Sequence, residues 1–395
     1  MQPDKRYRIL AILPRVPWPL EKGDKLRAYH QLRVLARKHE VHVWALSDIP
    51  FPEGAEENLA PLFASLTLSR LSLCSVAYNV FRAWVTGRPL QAGYFYNARV
   101  ARQFREFVDE IRPDHLYFQL ARTAWYAEGL DVPKTLDLQD AFSAGVKRRM
   151  ERSPWYQRPL FEMEYRRMCD YERQICDRFS ELTIISEADR ELILHPDRDS
   201  IHIVPNGVDA DFFSPVEGIC EYDVVFTGNM AYPPNIDAAR YLAGEIMPLV
   251  WKKRPHARLL LAGASPHSSV KALASDRVSV SGWMDDIRDA YAKSRVFIAP
   301  MRIGTGMQNK LLEAMAMELP CITTPLANRP IGTTHGQELL VGTDTAALAG
   351  HILGLLEDAP QAEALAKAGR RFVIEHYSWE GTTALLEKLL TGSKQ

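Results

Sequence analysis

The chain has 395 residues, more than a single hydrophobic core normally serves, so two domains of similar size are expected. Its composition is that of a globular enzyme, with 47% hydrophobic and 25% charged residues, which excludes a disordered or fibrous protein. A formal net charge of -1 argues against a protein that binds nucleic acid through phosphate neutralisation.

Charge is distributed unevenly along the chain. Residues 1–150 hold 22 Lys and Arg against 16 Asp and Glu, whereas the remainder holds 26 against 33. The basic surplus fits an anionic acceptor, a membrane surface or simply a solvated face.

Five scattered cysteines without a C-x-x-C pair indicate neither a disulfide framework nor a zinc site, and they fit the reducing cytoplasm. No apolar run reaches the roughly 18 residues of a membrane helix.

Short apolar runs alternate with amphipathic stretches, which is typical of β-α-β units. After the first predicted strand, residues 25–38 predict a helix by their apolar spacing. The predicted strands of the two halves are 7–13, 41–46, 114–118, 134–138, 182–185 and 201–204, then 223–227, 258–262, 278–281, 296–300 and 321–323. The sequence therefore predicts two doubly wound parallel α/β domains.

The domain boundary is predicted near residue 206, where Asn206, Gly207 and Pro215 replace the periodic pattern after a strand. This divides the chain into domains 1–205 and 206–376. Residues 377–395 are predicted to form a final amphipathic helix, and the sequence leaves open whether it returns to the first domain.

One segment of the second half combines a strand, a glycine-containing loop and a helix. Residues 296–300 predict the strand, Gly304 and Gly306 lie in the loop, and 310–318 are strong helix formers. Glycines let main-chain N–H groups approach phosphate oxygens, and the N-terminus of a helix carries partial positive charge. A diphosphate fits such a site, although glycines before a helix also simply shape turns.

Charged side chains flank this loop. Arg302 and Lys310 would supply positive charge to a diphosphate leaving group, which matters because no metal-binding constellation is visible. Glu313 lies three residues after Lys310 on the same helix face, and a carboxylate there can accept hydrogen bonds from ribose hydroxyls. The alternative is that Lys310 and Glu313 are a surface pair.

Residues 299–316, APMRIGTGMQNKLLEAMA, resemble the donor-site segment of retaining GT-B glycosyltransferases of family 4. Four other segments resemble landmarks of that family, so the similarity covers nearly the whole chain; they are 14–27 (PRVPWPLEKGDKLR), 204–209 (VPNGVD), 226–230 (FTGNM) and 282–287 (GWMDDI). The sequence is most similar to a subgroup of sugar transferases associated with bacterial exopolysaccharide gene clusters.

The resemblance implies the GT-B fold, in which two Rossmann-like doubly wound domains face each other across a cleft. Residues 1–205 would bind the acceptor and residues 206–376 the donor, a nucleotide diphosphate sugar with UDP favoured over GDP. The sugar would pass, with retention of configuration, to a saccharide or lipid-linked acceptor in bacterial polysaccharide or glycoconjugate synthesis. Neither a metal nor another cofactor is expected. The protein is expected in the cytoplasm, with peripheral contact at the inner face of the membrane as one interpretation.

The site residues implied by the resemblance come from both halves. Lys310, Arg302 and Asp140 are the catalytic candidates. The donor-binding candidates are Gly23, Gly228, Asn229, Trp283, Met284, Gly304, Thr305, Gly306, Met307, Gln308, Asn309 and Glu313.

Two positions depart from the family pattern. Glu313 matches the second of two family glutamates, whereas Thr305 stands at the first, which affects contacts to the donor sugar. Asn229 stands where the family usually has an arginine. Neutralisation of the diphosphate is therefore expected to fall more heavily on Arg302 and Lys310.

Several candidates have a second interpretation. Asp140, which follows a predicted strand, either orients or deprotonates an acceptor hydroxyl or caps the helix after it. Gly23 either lets the backbone approach the donor phosphate or forms a turn. Trp283 and Met284 either line the nucleobase pocket or pack in the core. Gln119 stands where related enzymes often carry a catalytic histidine, which weakens a histidine mechanism.

Residues 70–96 mix six aromatic residues with Arg70, Arg82 and Arg88. Such a face suits a lipid-linked acceptor at a membrane surface. The alternative places most of the aromatic rings in the core and leaves the arginines solvated.

Two other functions are compatible with the pattern. A nucleotide-sugar epimerase has the same architecture and converts its donor without an acceptor. A non-catalytic partner that only binds nucleotide sugar is suggested by Thr305 in place of the first glutamate.

Overall fold

The computed structural model describes residues 5–216, 218–304 and 306–392. The chain divides into two compact units. The first unit contains the residues up to 205 together with those from 382 onward, and the second contains residues 206 to 381. Each unit is built on one parallel sheet, so the predicted fold class of two doubly wound α/β domains is confirmed.

Seven parallel strands form the sheet of the first unit. They are β1 (Arg8–Leu13), β2 (Glu40–Ser47), β3 (Ser65–Arg70), β4 (His115–Gln119), β5 (Lys134–Gln139), β6 (Glu181–Ile184) and β7 (His202–Ile203). Their order is β3-β2-β1-β4-β5-β6-β7. The order changes direction between β1 and β4, and ligands of doubly wound sheets bind at the carboxyl edge beside such a point.

Helices cover the two faces of this sheet. Leu10 and Ile12 of β1 pack in one core and Ile9 and Ala11 in another, because successive side chains of a strand point to opposite faces. The helices are α1 (Gly23–Ala36), α2 (Ala55–Leu59), α3 (Leu73–Val85), α4 (Leu90–Phe95), α5 (Ala98–Ile111), α6 (Phe142–Arg152), α7 (Arg158–Cys176) and α8 (Glu187–Arg190), with short 3-10 helices at Ala60–Leu62, Ala121–Ala127 and Arg198–Ser200.

Six parallel strands form the sheet of the second unit. They are β8 (Tyr222–Thr227), β9 (Leu259–Ala262), β10 (Val278–Gly282), β11 (Ser294–Ala299), β12 (Cys321–Thr323) and β13 (Leu340–Val341), in the order β10-β9-β8-β11-β12-β13. The helices are α9 (Pro233–Tyr241), a π-helical segment (Leu242–Ile246), α10 (Met247–Lys253), α11 (Ser268–Lys271), α12 (Arg288–Ala292), α13 (Asn309–Ala316), α14 (Pro325–Asn328), α15 (Thr345–Glu357) and α16 (Ala359–Tyr377). The change of direction lies between β8 and β11.

Each predicted strand is present, with its ends within two residues of the prediction. Two strands were not predicted, β3 and β13. β3 lies at the edge of its sheet and reads SLTLSR, with no fully buried residue, so it lacks the continuous apolar run of the inner strands. β13 has only two residues.

The last helix, α17 (Trp379–Thr391), ends against the first unit. Leu386 and Leu390 are buried in the core that also holds residues of α1 and β2. The Glu387 carboxylate binds Nζ of Lys38 at 3.0 Å and Nε2 of His39 at 3.2 Å. The C-terminal residues therefore complete the core of the first unit.

We expect Leu386→Ala to lower the free energy of unfolding by about 2–5 kcal/mol, because it removes a fully buried side chain and leaves a cavity. Leu385→Ala is the matched control, since the adjacent leucine is 43% exposed and its loss should change stability by less than about 0.5 kcal/mol. Urea denaturation of both variants measures the difference. Equal midpoints would contradict the packing of α17 described above.

Candidate active site

The loop between β11 and α13 has the predicted form of an anion site. Gly304 adopts a left-handed φ of +102°, and α13 begins at Asn309. The Gln308 side chain before the helix donates to the Gly306 carbonyl oxygen over 2.8 Å, and no described side chain caps the helix. Leu311 N–H donates to the Gln308 carbonyl oxygen over 2.9 Å, and within the described residues the N–H groups of Asn309 and Lys310 remain available to an anion.

Lys310 lies in the first turn of α13 and is half-buried. Its Nζ donates to Oδ1 of Asn235 and lies 4.7 Å from the centre of the Phe226 ring. Burial lowers the pKa of Lys310 to about 7, and the attraction of Glu313 offsets this only in part. An anion bound beside the amine would restore its full positive charge, so this side chain is suited to a diphosphate.

Two glycines allow the loops after β8 and β9 to approach each other and Lys310. Gly228 has a φ of +149° and Gly263 a φ of +134°. A Cβ on Gly263 would lie 2.0 Å from the carbonyl oxygen of Gly228, and a Cβ on Gly228 would lie 3.2 Å from Nζ of Lys310. Asn229 is exposed, and its carbonyl oxygen accepts a 2.9 Å hydrogen bond from Nδ2 of Asn235. The glycines thus keep space open around the amine.

Glu313 lies one turn after Lys310 and is also half-buried. Its Oε2 accepts a 2.8 Å hydrogen bond from the hydroxyl of Tyr291, which lies 2.9 Å from Oγ1 of Thr227. Burial raises the pKa of Glu313, whereas Tyr291 and Lys310 lower it. Oε1 has no hydrogen-bond partner within the described ranges, so it can accept from hydroxyl groups of a ligand. This arrangement is not the surface pair of the alternative interpretation.

Arg302 is engaged by carboxylates in the structure. Its guanidinium binds Asp237 at 2.9 Å and Glu245 at 3.4 Å, and it lies 4.1 Å from the centre of the Tyr241 ring. The hydrogen bond that the guanidinium donates to Asp237 raises the pKa of Arg302. A charge held by two acids contributes less to a diphosphate than the amine of Lys310 does, so the predicted role of Arg302 gains no support from this geometry.

The aromatic ring of Trp283 lies outside the core. Gly282 ends β10 with a φ of +71°, and Trp283 after it is 65% exposed, with Nε1 donating to Asp285 over 3.1 Å. Met284 packs partly buried against the core of the second unit. Core packing was therefore the wrong interpretation for Trp283, whereas the donor contact of Met284 stays a prediction.

Two further predicted donor residues, Met307 and Asn309, lie immediately before and at the start of α13. Met307 is half-buried against the core, and Oδ1 of Asn309 accepts a 3.1 Å hydrogen bond from Asn206. The second contact ties the start of α13 to the beginning of the second unit. Thr305 lies outside the described residues.

In the first unit, Gly23 is the first residue of α1. A Cβ there would meet no atom within 4 Å, so its predicted approach to the donor phosphate stays a prediction. Gln119 is buried and donates to the main-chain oxygen of Asp24 over 2.8 Å, and Asp24 binds Arg15 at 2.5 Å. Gln119 therefore fixes the start of α1 and is not available to a ligand.

Asp140 lies exposed at the carboxyl end of β5. Gln139 before it has a left-handed φ of +64°, which turns the chain at this point. The main-chain N–H of Ser143 at the start of α6 binds Oε1 of Glu172 at 3.0 Å, so helix capping by Asp140 was the wrong interpretation. Desolvation by the surrounding protein raises the pKa of Asp140, and the positive charges of Arg148 and Arg122 oppose this rise. A role toward an acceptor hydroxyl remains its interpretation.

Arg122 is a site residue that the sequence did not predict. Its guanidinium lies between the rings of Phe95 and Phe142, 5.0 and 4.9 Å from their centres, and Nη2 donates to Gln91 over 3.3 Å. Desolvation lowers its pKa to about 10, so it stays charged at neutral pH. It provides a fixed positive charge near Asp140. A lone arginine in a short 3-10 helix carries no sequence signal for this position.

Within the described ranges, no three His, Cys, Asp or Glu side chains are grouped as metal ligands. All five cysteines are free thiols.

Two family models match the chain. Residues 26–212 match the model described as Glycosyltransferase Family 4, and residues 221–358 match the model described as Glycosyl transferases group 1. The second match contains the site around Lys310, and the first contains Asp140 and Arg122.

Similar proteins extend over the full chain. An uncharacterized protein in the cps region of Klebsiella pneumoniae is 21% identical over 393 residues, which cover 94% of this chain and 96% of that protein. Sucrose-phosphate synthase from Thermosynechococcus elongatus has a TM-score of 0.72 at 16% identity, covering 98% of this chain and 99% of its own. HepE of Anabaena, solved with UDP and glucose, has a TM-score of 0.70 at 14% identity, covering 98% and 100%. These structural similarities establish the GT-B fold.

Proposed function

The chain consists of a glycosyltransferase family 4 domain followed by a glycosyl transferases group 1 domain, and on that premise we propose that it transfers a sugar from a nucleotide diphosphate sugar to a saccharide or lipid-linked acceptor. The observation that carries this proposal is the pair Lys310 and Glu313 on α13, beside Gly228 in the loop after β8. UDP is favoured over GDP, because HepE, which shares the fold, was solved with UDP.

The donor would bind to the second unit in three parts. The amine of Lys310 and the first N–H groups of α13 bind the diphosphate, where both charge and hydrogen bonds favour an anion. Oε1 of Glu313 accepts from the ribose hydroxyls, and the exposed ring of Trp283 stacks on the base.

The proposed transfer retains the anomeric configuration. The bond between the anomeric carbon and the phosphate oxygen breaks while the acceptor hydroxyl bonds to the same face of the sugar. The acceptor proton passes to the departing diphosphate, and Lys310 stabilises the charge on the leaving oxygen. In the first unit, Asp140 is the residue proposed to orient the acceptor hydroxyl. Neither a metal nor a cofactor takes part in this scheme.

The biological role that we propose is bacterial polysaccharide or glycoconjugate synthesis at the cytoplasmic side of the membrane. The relative in the cps region of Klebsiella pneumoniae supports this role. Both family models are glycosyltransferase models, which favours transfer over the epimerase alternative. Product analysis with UDP-N-acetylglucosamine alone separates these two, because only an epimerase converts the donor without an acceptor. Binding without hydrolysis or transfer across an acceptor panel would favour the non-catalytic alternative.

Glu313→Ala is expected to weaken UDP binding about 10- to 100-fold, because a charged hydrogen-bond acceptor for the ribose is lost. Isothermal titration calorimetry in the presence of EDTA measures the affinity. Glu357→Ala is the control, since it removes an exposed carboxylate at the end of α15 in the same unit and should leave the affinity unchanged. Unchanged UDP affinity in both Glu313→Ala and Lys310→Ala would remove the donor-site assignment.

A further inference from the structure

One stretch of the first unit carries charge of a single sign. The 48 residues 58–105 contain no Asp, Glu or Lys and six arginines. The stretch includes β3, α3, α4 and the first half of α5. In a chain whose net charge is -1, this stretch is locally basic, and the acids from outside it that bind it, Asp48 and Glu164, contact α4 and not α3.

Helix α3 exposes most of its apolar side chains. Only Val76, Asn79 and Ala83 are buried. The exposed ones, which we call the α3 face, are Leu73 (75%), Tyr78 (64%), Phe81 (60%), Trp84 (52%) and Val85 (63%). Core packing was therefore the wrong interpretation for these three aromatic residues. Positions 78, 81 and 84–85 recur at helical spacing and form one stripe, and a soluble surface rarely leaves such a patch uncovered without a partner.

A basic groove adjoins the N-terminus of α3. It is a cavity of about 510 Å³ whose lining includes Arg70, Ser72, Asn97 and Arg99, and none of its lining residues is acidic. The Ser72 hydroxyl caps α3 by accepting from the main-chain N–H of Ser75, so the groove and the helix are directly connected. Within the described ranges neither arginine has an acidic partner. Both are exposed, so both are free to bind an anion.

We propose that the α3 face and the basic groove dock the first unit on an anionic phospholipid bilayer. The apolar side chains of α3 enter the interfacial layer, where tryptophan and tyrosine are favourable, and Arg70 and Arg99 hold a lipid phosphate. The contact is peripheral, because none of the described helices is long and apolar enough to cross a bilayer. A bilayer is favoured over a protein partner, because an exposed apolar stripe flanked by arginines without acids matches a fluid anionic surface. The inference rests on the proposed function in one respect only, which is that the docked surface would bring the first unit to a lipid-linked acceptor.

Sedimentation of the full chain with vesicles tests this proposal without nucleotide or acceptor. We expect binding to vesicles of equal parts phosphatidylcholine and phosphatidylglycerol and none to phosphatidylcholine alone. Two double variants should each lower the vesicle partition coefficient about tenfold or more. One is Phe81→Ser with Trp84→Ser, and the other is Arg70→Ala with Arg99→Ala. The thermal midpoint of each variant checks that the fold is retained.

Two variants in the second unit serve as matched controls. Ile219→Ser removes an apolar side chain that is 85% exposed, and Lys252→Ala with Lys253→Ala removes two exposed positive charges. Both should bind vesicles like the wild type. The proposal would be overturned if the protein bound neutral and anionic vesicles equally or bound neither. It would also be overturned if the control variants lost as much vesicle binding as the variants of the first unit. A further outcome would assign the α3 face to a second copy of the chain. In that case the protein would not bind vesicles but would self-associate in ultracentrifugation, and Phe81→Ser with Trp84→Ser would abolish the self-association. UDP affinity, measured separately, distinguishes these failures from a failure of the proposed transferase function.

Discussion

Replacing Lys310 with methionine is expected to lower kcat about 100- to 1,000-fold, because the leaving diphosphate loses the charge that stabilises it. Arg302 cannot easily compensate, since Asp237 and Glu245 hold its guanidinium. Methionine keeps an unbranched apolar stem beside Phe226, so the core should tolerate the change. Initial rates with a nucleotide sugar and a competent acceptor measure the effect. A kcat within a few-fold of the wild type would contradict the assigned role.

The same residue predicts how UDP binding depends on pH. The pKa of Lys310 is about 7 in the free protein, and a bound diphosphate should raise it. Above pH 7 the amine of Lys310 is deprotonated in the free protein and still protonated in the complex. Binding of UDP therefore takes up a proton, and the affinity for UDP falls as pH rises. The slope should reach at most about tenfold per pH unit, and below pH 7 the contribution of Lys310 should be flat.

Calorimetry between about pH 6 and 9, in buffers of different ionisation enthalpy, measures this proton uptake. The Lys310→Met variant should lose the uptake above pH 7, while titration of UDP itself is common to both proteins. Lys252→Met, at an exposed position, should keep the wild-type profile. A wild-type affinity that stays constant above pH 7 would show that the amine does not contact the diphosphate.

The sequence was sufficient to predict the fold because both sheets are parallel and largely buried. Inner strands such as β1 and β11 appear as continuous apolar runs between helical stretches. Edge strand β3 lacks that pattern and was missed, since its alternating polar residues face partly to solvent. Loop-and-helix motifs likewise predicted Lys310 and Glu313 as site residues, because their spacing within one helix is a local property.

The supporting residues of the site could not be predicted in this way. Tyr291 reaches Glu313 across 22 positions, and Asn235 reaches Lys310 across 75. Such pairs are created by strand order and leave no local pattern. For the same reason the acids that hold Arg302 were missed, as was Glu172, which takes the capping role that sequence proximity had suggested for Asp140.

Asp137→Ala is expected to lower the free energy of unfolding of the first unit by about 3–5 kcal/mol, because it leaves a buried guanidinium without its counter-charge. Asp137 and Arg27 are both fully buried, and Nε and Nη2 of Arg27 bind the two carboxylate oxygens at 2.7 and 3.0 Å. The hydroxyls of Tyr117 and Thr183 each donate to the same carboxylate over 2.9 Å. Desolvation alone would lower the pKa of Arg27, but Asp137 raises it overall.

Asp131→Ala, an exposed aspartate between β4 and β5, is the control and should change stability by less than about 0.5 kcal/mol. The double variant Arg27→Met with Asp137→Leu tests the mechanism further. Because it leaves no unpaired charge in the core, it should be more stable than Asp137→Ala, although two hydroxyls still lack an acceptor. Urea denaturation of the double variant and of its two single changes, Arg27→Met and Asp137→Leu, gives the coupling between the two residues. A double variant as unstable as the sum of its single changes would mean that the ion pair is not what destabilises the Asp137→Ala core.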